Sequence, residues 1–277
     1  MLYVPQDVDR GRMYDGYIDI VERDGYNHLG YFSPLNASTP QYITGGNWEV
    51  TDGIAAFDED TNLVYFTSTK KSPIERHLYS IHLSGESMTP LTDPDTDGYY
   101  TVSFSPMARY YQLSYRGPNV PHQAVLSTTN SSFRLELENN QALRDSLKKF
   151  DLPIQVFGTI KVDGYTLNYR EIRPPNFDDS GKTKYPVLFH CYGGPVSQTV
   201  EKRFNLEWHS WITSEPRLEY LIVEIDGRGT GFMGRKSRVG VRGHLGVLES
   251  ADQAAAAESH SLKTCRLTID SGSPKIM

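Results

Sequence analysis

HLGYFS at residues 28–33, followed by TPQYIT at 39–44, returns as HLYSIH at 77–82 followed by TPLT at 89–92. His28 and His77 stand 49 residues apart, and Thr44 and Thr92 stand 48 apart. A second pair interleaves with the first: Phe57-Asp58-Glu59-Asp60 leads to Leu63-Val64-Tyr65-Phe66, and Phe104-Ser105-Pro106 leads to Tyr110-Tyr111-Gln112-Leu113, 47 residues on. Within each unit, short alternating or β-branched segments are separated by Asp, Gly, Ser and Pro turns, which is the texture of strands and not of helices. A steady period of this length with several strands per unit predicts four-stranded β-propeller blades. Two blades and part of a third are visible. A β-sandwich whose hairpins resemble one another is the alternative reading of the same pattern.

Around Phe150 to Pro153 the texture changes. Asp163-Gly164 predicts a hairpin turn between strands Val156 to Val162 and Tyr165 to Ile172, and Pro174-Pro175 ends that hairpin. Tyr185 to Cys191 is the next strand. Phe204, Trp208, Trp211 and Ile212 recur at helical spacing, so Lys202 to Thr213 is expected to form an amphipathic helix with its aromatic stripe turned inward. Leu218 to Ile225 is nearly all apolar, as a strand buried on both faces should be, and runs into Asp226-Gly227-Arg228-Gly229-Thr230-Gly231. Strand, helix, strand in this order implies a parallel sheet. The glycine run does not fit a phosphate cradle. No Gly-Lys-Ser/Thr follows it, and the third glycine of a dinucleotide-binding turn has no helix to stand on. Its glycines are expected to let the chain turn sharply at the sheet edge.

Composition bounds the function. The chain has 277 residues with 38% hydrophobic and 12% aromatic content, enough to bury a real core. A formal charge of −6, with no basic run interleaved with aromatics, argues against a nucleic-acid partner. Every apolar run is interrupted well short of a membrane span, and Met1 opens no signal-like segment. Cys191 and Cys265 have neither metal-ligand nor disulfide-framework spacing, and each is expected to be a small buried hydrophobe. No metal or cofactor is called for. Two glycosylation triplets, Asn36-Ala37-Ser38 and Asn130-Ser131-Ser132, fit passage along the secretory route.

The strings Asp15-Gly16-Tyr17-Ile18-Asp19-Ile20, Gly25-Tyr26-Asn27-His28-Leu29, Trp48-Glu49-Val50, Tyr99 to Ser105, Tyr192-Gly193-Gly194-Pro195 with Ser197-Gln198, and Asp226 to Gly231 occur in this order. Together they resemble the dipeptidyl peptidase IV branch of the prolyl oligopeptidase family, in register from about Tyr14 to about Ala257. The resemblance implies serine peptidases that release X-Pro or X-Ala dipeptides from free amino ends, with an α/β-hydrolase domain capped by an eight-bladed propeller. It further implies peptide partners with penultimate Pro or Ala, a homodimer in the whole protein, and a secreted, vacuolar or membrane-anchored location. The organisation expected is C-terminal propeller blades over 1–149, the N-terminal part of an α/β-hydrolase domain over 150–258, and a divergent tail over 259–277. An endo-acting prolyl oligopeptidase or an acylaminoacyl peptidase is the nearest alternative within the enzyme class.

Tyr192 matches the tyrosine that supplies the oxyanion hole in that family. Acyl transfer passes through a tetrahedral oxyanion, and a donor fixed where that charge develops lowers the barrier by about 3 to 4 kcal/mol. A strand end holds the residue rigidly, and Gly193-Gly194 lets the following loop fold away. The remaining machinery does not appear. The sequence contains no G-x-S-x-G elbow, and Ser271-Gly272-Ser273-Pro274 lacks the second glycine. His244 and His260 precede the place where the nucleophile would stand, the wrong order for this fold, and are expected to be ordinary loop or surface histidines. The resemblance lapses over residues 259–277. The chain is therefore expected either to be a truncated or misjoined version of a dipeptidyl peptidase, or a non-catalytic propeller module that acts through interactions.

Overall fold

The computed structural model describes residues 1–264. The chain divides into two compact units, one of residues 1–145, 201–205 and 231–240, the other of 146–200, 206–230 and 241 onward.

The first unit contains three four-stranded antiparallel sheets, each with its strands in sequence order. The first holds β1 (Leu2–Val4), β2 (Gly16–Arg23), β3 (Tyr26–Phe32) and β4 (Gln41–Tyr42). The second holds β5 (Val50–Asp58), β6 (Leu63–Ser68), β7 (His77–His82) and β8 (Thr89–Pro90), and the third β9 (Tyr99–Phe104), β10 (Tyr110–Gly117), β11 (His122–Ser127) and β12 (Arg134–Glu138). None of these sheets closes on itself. A four-stranded meander of this kind is what a propeller blade is built from. Three such sheets are present where the sequence pattern showed two and part of a third. The ends of the set were missed because β1 has only three residues and β12 is exposed throughout, which leaves neither a buried-face pattern.

The repeat that marks these sheets has a physical cause. The backbone N–H of Leu29 donates to Thr44 Oγ1 at 2.9 Å, and His28 Nδ1 lies 3.0 Å from the same oxygen. One sheet later, the Leu78 N–H donates to Thr92 Oγ1 at 3.1 Å, and His77 Nδ1 lies 3.1 Å from it. Each threonine thus ties the segment after the fourth strand back to the third. Both histidines are fully buried. His28 Nε2 is 2.9 Å from the Gly46 carbonyl and His77 Nε2 is 3.0 Å from Glu75 Oε2, so each ring donates through Nε2 and meets the threonine hydroxyl at Nδ1. Between the first two sheets, Val4, Ile18, Leu29, Val50, Val64 and Phe66 form a closed apolar core.

α1 (Gln141–Leu147) follows, and the second unit is built on a fourth sheet. Its strands are β13 (Ile154–Val162), β14 (Tyr165–Arg173), β15 (Val187–His190) and, after α2 (Trp208–Ser214), β16 (Leu221–Asp226), in the order β13-β14-β16-β15. The β13–β14 hairpin turns on Asp163-Gly164, both at positive φ, as a tight two-residue turn requires. β16 runs parallel to β15 but antiparallel to β14. The sheet is therefore mixed, not parallel, because the hairpin supplies the strand on the far side of β16. All six residues of β16 are buried. Leu221, Val223 and Ile225 pack with Ala256 of α4 (Leu248–Thr264), while Ile222 packs with Ile212 of α2. Strand alternation thus puts a helix on each face and explains the continuous apolar run. The short α3 (Gly234–Arg238) lies in the first unit.

Three sequence expectations are corrected here. The helix expected over Lys202 to Thr213 is confined to Trp208–Ser214. Lys202 N–H donates to the Ile74 carbonyl at 2.9 Å and Phe204 N–H to the Arg116 carbonyl at 2.8 Å, so the backbone of residues 202–205 bonds to distant segments and not along a helix. The aromatic stripe is not core: Trp208 and Trp211 are 58% and 56% exposed, and only Ile212 of the four turns fully inward. Cys191 is exposed, not a buried hydrophobe, because the chain leaves the sheet at His190. Cys265 and Ser273 lie outside the described residues. α4 continues to Thr264 and so enters the segment set apart as a divergent tail. Among the described residues no helix is long and apolar enough to cross a membrane.

Candidate active site

The parallel strands β15 and β16 end side by side, and the chain beyond each contributes to one crevice. In open α/β sheets the space beyond the carboxyl ends of adjacent parallel strands is where ligands bind. Tyr192 stands two residues past β15 and is 54% exposed. With Gly194, Asp226, Arg228, Thr230 and Glu249 it lines a crevice whose free volume is about 10 Å³, on the order of one water molecule.

The walls are rigid for stated reasons. The Asp226 carboxylate accepts the backbone N–H groups of Thr199 at 2.9 Å and Val200 at 3.1 Å, which pins the far end of the Tyr192 loop to the end of β16. Val196 N–H donates to the Gly229 carbonyl at 2.8 Å, and Ser197 N–H to the Gly194 carbonyl at 3.1 Å. Val196 itself has φ +69°, a left-handed backbone that a β-branched residue adopts only when its surroundings impose it. Gly194 lets the Tyr192 ring pack close to the backbone. A Cβ built there would stand 2.8 Å from the Tyr192 hydroxyl, so the phenol lies back over the glycine backbone.

Across the crevice, Arg228 is held by Asp252 of α4. Asp252 is fully buried and receives the Arg228 backbone N–H at 2.8 Å, Nε at 2.8 Å and Nη2 at 2.6 Å. Asp163 accepts a further bond from Nη2 at 2.9 Å, and the guanidinium lies 4.8 Å from the Tyr165 ring centroid. The bonds to Asp252 first, and then the one to Asp163, push the Arg228 pKa up, so it carries a fixed positive charge. Gly229, at φ +96°, lets the chain reverse here, and a Cβ on it would meet Val241 at 3.1 Å. The glycines of this run serve a turn at the sheet edge. At the start of α4, Glu249 accepts the Gly246 N–H at 2.8 Å, and Gln253 donates to the Ile225 carbonyl at 2.7 Å.

Of the residues singled out in the sequence, Tyr192 lines this crevice together with Gly194, Ser197 and the Asp226 turn. Asn36 is exposed between β3 and β4, and Asn130 is exposed between β11 and β12, where its Oδ1 accepts the Ser132 N–H at 3.1 Å. His244 is exposed. Asp226, Arg228 and Asp252 as a connected frame were not foreseen. The Asp226 to Gly231 string was visible, but its partner lies 24 residues away on a helix with no marking motif.

The family model for the dipeptidyl peptidase IV (DPP IV) N-terminal region matches residues 2–122. A protein named "Probable dipeptidyl-aminopeptidase B" from Colletotrichum graminicola is 50% identical over 263 residues, which cover 94% of this chain and 28% of that protein. Its namesake from Podospora anserina is 49% identical over 264 residues, covering 95% and 28%. The chain thus spans just over a quarter of the length of these curated relatives. The crystal structure of Porphyromonas gingivalis dipeptidyl peptidase 4 superposes with a TM-score of 0.81 at 31% identity, covering 91% of this chain and 35% of that one.

Proposed function

From the premise that this chain belongs to the dipeptidyl peptidase IV family, we propose that it carries part of a serine-type dipeptidyl aminopeptidase, which removes X-Pro or X-Ala dipeptides from peptide amino ends. In this reading the three sheets of residues 1–149 are propeller blades, and residues 150–258 begin an α/β-hydrolase domain. The observation that carries it is the position of Tyr192, held on a glycine turn past a parallel strand beside the Asp226 to Thr230 turn. There the phenol O–H donates to the oxyanion as the scissile carbonyl becomes tetrahedral. The glycine turn and the Asp226 clamp hold the loop that carries it.

Tyr192 binds charge but makes no bond. The 277 residues contain no G-x-S-x-G, so this chain offers an oxyanion donor without a recognisable nucleophile and is inert by itself. Asn36 and Asn130 would carry glycans in a secreted, vacuolar or membrane-anchored enzyme, and the whole protein would act as a homodimer.

Fluorophosphonate labelling and turnover of a Gly-Pro anilide test both parts. The 277-residue chain should take no label and release no chromophore, while a full-length enzyme that contains it should do both. Label on Ser273 of the short chain would overturn its inertness. A full-length protein that ignores the anilide would overturn the dipeptidyl peptidase reading.

A further inference from the structure

On the face of the fourth sheet covered by α2, three polar residues meet. Arg170 of β14, Glu224 of β16 and His190 of β15 lie in one cross-strand row, since Arg170 and His190 are the register partners of Glu224 on either side. His209, the second residue of α2, covers the row. Glu224 is 1% exposed and Arg170 is 5% exposed. Arg170 donates to Glu224 Oε2 through both Nε, at 2.7 Å, and Nη2. That leaves Oε1 for the imidazoles: His190 Nδ1 is 3.0 Å from it and His209 Nδ1 3.7 Å. The two rings lie 4.5 Å apart, centroid to centroid.

His209 is the anomaly. It is 9% exposed, and its Nδ1 is buried without a hydrogen-bond partner although it points at the carboxylate. A buried ring nitrogen left in this way costs desolvation that nothing in the hydrogen-bonding pattern offsets.

We propose that His190, His209 and Glu224 bind a divalent transition-metal cation of the zinc type. One ligand atom from each lies within 4.8 Å of the others. A tetrahedral zinc with bonds of about 2.0–2.1 Å separates its ligand atoms by roughly 3.3 Å. The distances of 3.0 and 3.7 Å bracket that spacing. Two imidazoles and one carboxylate are a zinc donor set, and they leave a fourth position open. The arginine pair on Oε2 orients the ligating carboxylate, as outer partners of metal ligands do. Glu207 Oε1, 3.8 Å from His209 Nδ1 and on an exposed side chain, adds negative charge at the entrance. The half-exposed His190 gives the ion its way in. The bound ion would fasten the end of β15 to α2 two residues before Tyr192.

The test uses the tag-free 277-residue chain, stripped with chelator and titrated with Co²⁺ followed by visible absorption, and with Zn²⁺ by calorimetry. One equivalent should bind, with the intense d–d bands of tetrahedral Co²⁺ displaced by Zn²⁺, and Zn²⁺ should raise the melting temperature. His190→Ala removes a half-exposed ligand at little risk to folding, and His209→Ala removes the buried one. Each should weaken binding by at least tenfold. Circular dichroism of the stripped proteins shows whether the variants fold as the wild type does. Absence of binding by the folded wild type, or equal affinity in the folded His190→Ala variant, would overturn the site.

Discussion

Asp252, fully buried on α4, receives both the backbone N–H and the guanidinium of Arg228. One carboxylate thereby fixes the turn after β16 and neutralises a charge that is 8% exposed. Replacing Asp252 with Ala leaves that guanidinium buried with only the Asp163 side chain, which is 72% exposed, to face it. The expected cost is about 3–5 kcal/mol. Asp163→Ala, which removes the solvent-screened partner alone, should cost under about 1 kcal/mol. Urea unfolding of the two variants checks the order. Equal losses would mean the two carboxylates share the charge, contrary to their burial.

Glu75 is the corresponding acid of the first unit. Burial pushes its pKa up, but bonds from His77, Lys202 and the Gly98 N–H outweigh that and hold it at about 2, against an ordinary 4.5. Lys202 Nζ lies 2.9 Å from Oε1, and the Gly98 N–H donates to Oε2 at 3.1 Å. A depressed carboxylate stabilises the fold above its unfolded pKa and loses that contribution as pH falls through its folded value. The contribution is on the order of 3 kcal/mol, full above about pH 4.5 and gone near pH 2. Glu75→Gln should accordingly be much less stable than wild type at neutral pH, with the gap narrowing as pH drops below 4.5. A gap that stays constant down to acid pH would remove the titration from the explanation.

The histidine and threonine pairs allow a matched comparison. Thr44→Val and Thr92→Val each keep the shape and delete the hydroxyl shared by a backbone N–H and a buried ring nitrogen. Each should cost about 1–3 kcal/mol through the groups left unsatisfied. The two costs should be close to one another, because the geometry repeats. Thermal or urea melts measure them. A neutral Thr92→Val would show that His77 is satisfied through Glu75 alone.

Those pairs show what the sequence could disclose. Repetition of His28 and Thr44 as His77 and Thr92 is legible because each of the two sheets solves the same local problem with the same residues. The mixed sheet was half legible: β16 reads as buried on both faces from composition alone, but which neighbour runs antiparallel to it depends on how the β13–β14 hairpin docks. Lys202 to Asn205 read as helix because Phe204 falls in phase with Trp208 and Trp211, and the backbone bonds to Ile74 and Arg116 that override this phase come from residues far away in sequence. Tyr192 stands out in the sequence through its motif, and its place beside the Asp226 turn is seen only in the fold. His190, His209 and Glu224 were not found, because three residues on three elements carry no common spacing.

Gly194 gives the most selective test of Tyr192. Any side chain there meets the phenol oxygen at the end of a flexible residue, so the ring can swing away at little cost to the fold, taking the hydroxyl from its place. In a full-length enzyme that contains this chain, Gly194→Ala should therefore melt close to wild type while losing turnover of a Gly-Pro anilide. Tyr192→Phe, which deletes the donor and leaves the ring, should lower kcat by about 100- to 1000-fold with little change in KM, since the oxyanion forms only on the way to the tetrahedral state. The double variant then carries the argument. If Gly194 acts through the phenol, adding Gly194→Ala to Tyr192→Phe should cost little more in kcat, because the group it displaces is already gone. Independent, multiplying losses would place the role of Gly194 in the loop backbone and not in the aim of Tyr192.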